Sequence, residues 1–300
     1  MKAVTITVIA NMTSNYSEGL GNISTVQKVV RNQRSYAIRS RESLKNALMV
    51  QSGWYDELAT TVDGAVQKAV YEVKNAATCR ALDAGYMNTN VKVAGDKGKA
   101  TYIRKSSFFL TDAISVDPFA DETRFHNNLY LATIEAKQQG LNVQNSADKV
   151  GLMPYQYEYD KSYKVYSLTI DLEQLGRDDN FNAEAPKLEK IDRINALLDA
   201  VRDLNLVVKG NLDNAEPIFV VGGISPRRTH YFENVVHMKN GALQITEDLK
   251  NKLDQGFHCG FLEGGAFTNE EEVKAVLKPK SVSAFFDRVK ADVAAYYEGK

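Results

Sequence analysis

The sequence is short of most features that mark a secreted, metal-binding or membrane protein. It has two cysteines in 300 residues, Cys79 and Cys259, too few and too far apart for a disulfide framework or a zinc spacing. A reducing, cytoplasmic setting is therefore expected. Long hydrophobic runs are also missing. The apolar stretch from Ala3 is interrupted by Thr5 and Thr7 and stops at Asn11, too short for a signal core or a membrane span. The four histidines, His126, His230, His237 and His258, show no HxxxH or HExxH spacing, so no metal site is expected. There is no GxSxG, no Walker A loop and no dinucleotide fingerprint. The nearest glycine run, Gly95-Asp-Lys-Gly-Lys99, lacks both the spacing and the following Ser or Thr. Neither a catalytic residue nor a cofactor is predicted. Net charge is nearly absent too, at -1, and excludes any argument for a polyanionic partner from overall charge.

What the chain does have is segregated charge. Residues 1–50 carry seven basic side chains against Glu18 and Glu42, and Gly19 to Arg41 holds Lys28, Arg31, Arg34, Arg39 and Arg41 with no carboxylate. A basic stretch this free of acids in a balanced chain points to an external polyanion.

Hydrophobic periodicity predicts an α+β domain. Val4, Ile6 and Val8 alternate with threonines as a strand, and Tyr166, Leu168 and Ile170 alternate as another, ending at Asp171. Ser40 is placed to cap a helix over about 41–50 with Leu44, Ala47 and Leu48 on one face and Arg41 and Lys45 on the other. Val62, Val66, Ala69, Val70 and Val73 fall at helical spacing, as do Leu188 to Leu204 and Val282 to Val293. Pro217 to Val221 reads as a buried strand emptying into a tight loop at Gly222-Gly223. Residues 88–105 read as a mobile basic insertion, and residues 117–160 as a second long excursion. The order strand, helix, strand, helix, strand suggests the ferredoxin or RNA-recognition-motif type. No linker divides residues 1–300. The aromatic octapeptide of ordinary RNA-recognition motifs is missing, so loops and insertions are expected to carry any RNA contact.

Two constellations could hold phosphate. Arg39-Ser40-Arg41 stands at a helix start, where free N–H groups and the helix dipole favour an anion. Gly222-Gly223 followed by Arg227-Arg228 allows close backbone approach with two guanidinium groups nearby. The two are expected to leave neighbouring strands and to flank one strand of RNA.

In order and spacing, a set of segments resembles the Cascade backbone subunit of type I CRISPR systems, the Cas-seven family of the RAMP superfamily, in its DevR-like branch. The segments are Gly21-Asn22-Ile-Ser, Tyr36 through Lys45, Asp83-Ala-Gly-Tyr-Met87, Thr111 through Phe119 with Phe125-His-Asn-Asn128, Tyr166 through Leu172, and Pro217 through Gly223 with Phe232-Glu-Asn234. The resemblance implies a right-hand-shaped protein over residues 1–300, with an RNA-recognition-like palm, a finger segment at 88–105 and a thumb hairpin within 117–160. It implies a non-catalytic role: copies stack head to tail along CRISPR RNA, beside other Cascade subunits, and present the guide to target DNA, away from any membrane. RNA contacts would fall on Asn22, Arg34, Arg39, Ser40, Arg41, Lys45, Asn127, Asn128, Gly222, Gly223, Arg227 and Arg228. Target DNA would meet Lys92, Lys97, Lys99, Arg104 and Lys105. The family often has glutamine where Glu42 stands. Related type III subunits cleave RNA with an aspartate in the early loop; Gly19 to Arg41 has none, so that activity is not carried over. The alternatives are a metal-independent ribonuclease acting on precursor RNA through His126 or His230, and a promoter-binding autoregulator.

Overall fold

Alternation at the start of the chain decides where the first strand lies. In the computed structural model, Val4, Ile6 and Val8 turn to one face and Thr5, Thr7 and Ile9 to the other, and all six are buried because both faces are covered. Burying each of the three on the first face contributes about 1.5–3 kcal/mol. The structure describes residues 2–17, 23–63, 65–92, 99–120 and 122–299, with the backbone alone for those within 61–68 and 89–100.

The main elements are β1 (Ala3–Thr13), β2 (Lys28–Arg31), β3 (Arg34–Arg39), α1 (Arg41–Gln51), β4 (Tyr86–Lys92), β5 (Lys99–Arg104), β6 (Phe108–Leu110), β7 (Ala113–Ser115), β8 (Thr123–His126), α2 (Leu129–Gln139), β9 (Tyr155–Glu158), β10 (Lys161–Asp171), α3 (Lys187–Arg202), β11 (Pro217–Ser225), β12 (His258–Phe261) and α4 (Val282–Glu298). The central sheet runs β12-β11-β1-β10-β7-β3-β2, every pair antiparallel, and β6 adds to β10 beyond β7. The chain is thus a mixed α+β structure built on an antiparallel sheet.

Helices α1, α3 and α4 cover one face over a core that includes Leu44, Leu48, Ile194, Val201, Phe285 and Phe286. Helix α1 begins where expected: the Ser40 hydroxyl accepts the Ser43 N–H at 3.2 Å, a cap that contributes about 1 kcal/mol. In α3, Ile194, Leu198 and Val201 are buried as the periodicity implied, but Leu188 at its start is exposed. On the opposite face the segment between β11 and β12 packs a second core, Ile9, Phe219, Val221, Phe232 and Phe257 among others.

Two expectations are corrected. Val62 to Val73 is not helical: Thr60–Asp63 pairs antiparallel with Ala65–Lys68. The Gly222-Gly223 loop does not exist either. β11 continues to Ser225, with Gly222 opposite Ile6 and Gly223 opposite Thr5 of β1. A Cβ at Gly222 would lie 2.0 Å from the Thr5 carbonyl oxygen, so the glycine serves strand packing.

The two excursions have their own structure. β4 and β5 form a hairpin, Tyr86 opposite Arg104 and Lys92 opposite Lys99. Within residues 117–160, β8 pairs with β9, α2 lies between them, and Ala132, Ala136 and Val150 form a small separate core.

Candidate nucleic-acid interface

β2 and β3 are joined by Asn32 and Gln33, both left-handed (φ 49° and 62°), the two-residue turn that matches strand twist. This hairpin stands at the edge of the sheet and exposes Arg31 and Arg34, neither with an ion pair among the described residues. From it a groove of about 610 Å³ crosses β7 and β10 to the loop 230–238, lined by Arg31, Tyr36, Arg41, Ser167, His230 and His237. Asp112 and Glu233 also line it, so its charge is mixed with a guanidinium-rich end. Arginine forks at such an end suit phosphate oxygens.

Arg41 is the exposed member of the Arg39-Ser40-Arg41 triplet. It meets Glu42 at 2.7 Å with both side chains largely in solvent, and this contact holds the Glu42 carboxyl below its ordinary range. An exposed pair is worth little, about 0–1 kcal/mol, so a phosphate can compete for the guanidinium. Arg39, by contrast, is buried. It donates to the Thr13 carbonyl at 3.1 and 3.0 Å and to the Ser43 hydroxyl at 2.9 Å, and burial holds its pKa down at about 10. Nor is the helix start free for an anion. Arg41 N–H donates to Asp112 at 2.8 Å and Ser40 N–H to Asn15 at 2.7 Å, while the Ser40 hydroxyl is the cap. The helix terminus expected to take phosphate is thus filled by internal partners, and the guanidinium of the triplet that stays on the surface is that of Arg41.

Lys45 donates to the Ala84 carbonyl at 2.8 Å and the Ser106 hydroxyl at 3.0 Å and lies over the Phe108 ring. Together with Arg41 and Phe109 it lines a second, smaller cavity of about 360 Å³. Arg34 is exposed in the hairpin. Carboxylates from elsewhere in the chain reach the acid-free stretch: Lys28 meets Glu158 at 2.5 Å.

β3 and β11 are not neighbours. β7, β10 and β1 lie between them, about 19 Å at ordinary strand spacing. The arginines that follow each strand are nonetheless linked. Arg228 pairs with Asp171 at 2.7 Å and stands 5.8 Å from the Phe109 ring, the ring beside Arg41 in the smaller cavity. Arg227 is exposed.

In the 117–160 excursion Asn128 is committed internally, donating to the Gly151 carbonyl at 2.8 Å and accepting the Met153 N–H at 2.7 Å. Asn127 accepts the Leu129 N–H at 3.1 Å. Both lie where the helix leaves β8. His126 bonds Tyr157 at 3.0 Å and stacks on Tyr155. Of the basic residues in the 88–105 segment, Lys105 is exposed. Arg104 is not available as a surface contact, because it is buried against Asp83 at 2.6 Å and against the carbonyls of Arg177 and Gln174. Asn22 and Lys97 lie outside the described residues, and Lys92 and Lys99 are described by backbone alone. The sequence places Arg31 only within the basic stretch and gives no expected contact at Tyr36, Phe109 or His237. Arg31 and Tyr36 carried a signal, since Val29 to Arg31 and Arg34 to Tyr36 flank a two-residue turn and predict a hairpin.

The profile of the family described as CRISPR-associated negative auto-regulator DevR/Csa2 matches residues 4–241. The chain belongs to this family. The DevR/Csa2 match takes in every groove residue from Arg31 to His237. Two solved structures resemble the fold end to end. One is a chain of a CRISPR RNA-guided surveillance complex, with a TM-score of 0.52 at 12% identity, covering 98% of this chain and 99% of that one. The other is a chain of a CRISPR RNA-guided surveillance complex in its pre-nicking state, with a TM-score of 0.55 at 10% identity and coverage of 97% and 100%. No curated protein matches significantly by sequence. Among the described residues, no helix is long and apolar enough to cross a membrane.

Proposed function

We propose that this DevR/Csa2-family chain is a non-catalytic, guide-RNA-binding backbone subunit of a CRISPR interference complex. The observation that carries the reading is the groove from the β2–β3 hairpin to His230 and His237, which offers the guanidinium groups of Arg31 and Arg41 at its hairpin end. The strand order supports an RNA-recognition-like palm. Numbering its four central strands along the chain as β1, β7, β10 and β11, they lie in the order fourth, first, third, second, with α1 and α3 as the two connecting helices. The β4–β5 hairpin corresponds to the finger and the β8–β9 pair with α2 to the thumb.

Affinity in this reading comes from phosphate contacts and is tolerant of spacer sequence. Copies of the chain line up along the RNA next to other subunits, and the guide's bases stay free for target DNA. The test is purification of the chain from cells expressing its CRISPR array, followed by sequencing of bound nucleic acid. Recovery of repeat-spacer RNA is the expected result. Recovery of promoter DNA alone would instead favour the auto-regulator named in the family description, and discrete cleavage products from repeat RNA would favour a ribonuclease.

A further inference from the structure

We infer that His230 reads the ribose 2′-hydroxyl in the groove, so that the site distinguishes RNA from DNA by accepting a hydrogen bond that only ribose can donate. The inference rests on the RNA-binding reading above and names the chemistry of its selectivity. His230 lines the groove. Its Nδ1 lies 2.9 Å from the Thr169 hydroxyl oxygen, and its Nε2 has no partner among the described residues. The Thr169 hydroxyl also lies 3.1 Å from the Thr229 carbonyl oxygen, which the Thr5 hydroxyl contacts as well at 3.1 Å.

Proton counting assigns the tautomer. The Thr169 hydroxyl has one proton, and a carbonyl oxygen can only accept. If that proton went to Nδ1, two lone-pair-bearing oxygens would face each other at 3.1 Å. If it goes to the Thr229 carbonyl, every contact is made: Thr5 and Thr169 both donate to the carbonyl, and Nδ1–H donates to the Thr169 oxygen. The second arrangement leaves Nε2 unprotonated, an acceptor. Burial lowers the His230 pKa, against a smaller opposing effect of Glu233, which keeps the ring neutral near pH 7.

An acceptor in a phosphate groove is useless for phosphate, whose oxygens also accept. It suits a donor that every nucleotide of the ligand carries, and in RNA that donor is the 2′-hydroxyl, absent from DNA. Base N–H groups are the other donors, but they vary with sequence. Thr169 is the positioning residue: it fixes the ring and its tautomer without touching RNA.

The test is fluorescence anisotropy of the full chain with a labelled mixed-sequence oligoribonucleotide, the same sequence as DNA, and a second RNA of different base composition. Wild type should prefer RNA. His230→Ala should weaken RNA affinity about tenfold, the scale of one hydrogen bond, with DNA affinity and the salt slope unchanged. His230→Gln, whose side-chain oxygen can accept, should recover part of the preference. Thr169→Val should reduce it while the chain stays folded by circular dichroism. Equal weakening of RNA and DNA by His230→Ala, or a loss that follows base composition and not the sugar, would overturn the inference. Failure of the groove itself is distinguishable, because Arg31→Ala and Arg41→Ala would then leave both affinities untouched.

Discussion

The guanidinium of Arg39 holds the backbone carbonyl of Thr13 with two hydrogen bonds, while Arg41, two residues on, projects into solvent. The last residue of β3 therefore ties the end of β1 to the start of α1, and the side chain of the first helical residue stays at the surface, paired with Glu42. Replacing Arg39 by Ala strands a buried carbonyl and should cost about 2–3 kcal/mol of stability. Arg41→Ala should change stability by under about 0.5 kcal/mol and weaken RNA binding. Urea unfolding and RNA titration of the two variants separate these effects; equal stability losses would contradict the assignment.

Gly222→Ala should unfold or severely destabilise the chain, by about 3 kcal/mol or more, because its Cβ would meet the Thr5 carbonyl oxygen in the middle of the sheet. Gly223→Ala meets only the Phe257 ring edge, at 3.3 Å; its remaining strain is the backbone's φ of 149°, and it should be the milder change. Thermal melts check the order. If Gly222→Ala melts like wild type but no longer binds RNA, the glycine contacts ligand after all.

Asp83 is fully buried and accepts from Arg104 at 2.6 Å, Arg193 at 3.0 Å and the Gly176 N–H at 2.8 Å. Asp83→Ala leaves two guanidinium groups without their shared carboxylate and should cost about 3–5 kcal/mol. Lys105→Ala, one residue beyond Arg104 and exposed, should be nearly neutral. Unfolding midpoints of the two variants give the comparison; a neutral Asp83→Ala would mean that the cluster does not anchor the β4–β5 hairpin.

His230 makes a signed contribution to stability against pH. Its folded-state pKa lies below the ordinary 6.5, so the unfolded chain binds the proton more readily and stability falls as pH drops below about 6.5, levelling off beneath the folded value. His230→Gln removes this component, and its stability curve should be flatter than wild type over that interval. Unfolding free energies measured at a series of pH values test it; parallel curves would show that the ring titrates normally.

Much of this architecture could be read from the residues. The Ser40 cap, the strand ending at Asp171 and the closing helix from Val282 follow from period and capping because single-face burial imposes them. Val62 to Val73 misled, since apolar residues four apart in two short strands imitate one helix face. The fate of the arginines was less legible. Arg39 shares its side of β3 with Ala37, which is fully buried, and that parity is visible only once 34–39 is read as a strand. Arg228 stands near the Phe109 ring, which shares a cavity lining with Arg41, through strand order, which local sequence does not encode.

The central claim is that guanidinium groups at the hairpin end of the groove hold RNA phosphates, and the salt dependence of RNA affinity tests it most directly. For the wild-type chain, log affinity should fall linearly with log salt concentration. The Arg31→Ala, Arg34→Ala, Arg41→Ala triple variant should bind more weakly to all sequences alike, with a slope shallower by roughly 0.7 for each phosphate the protein no longer neutralises. A triple variant that stays folded and keeps the wild-type affinity and slope would contradict the account.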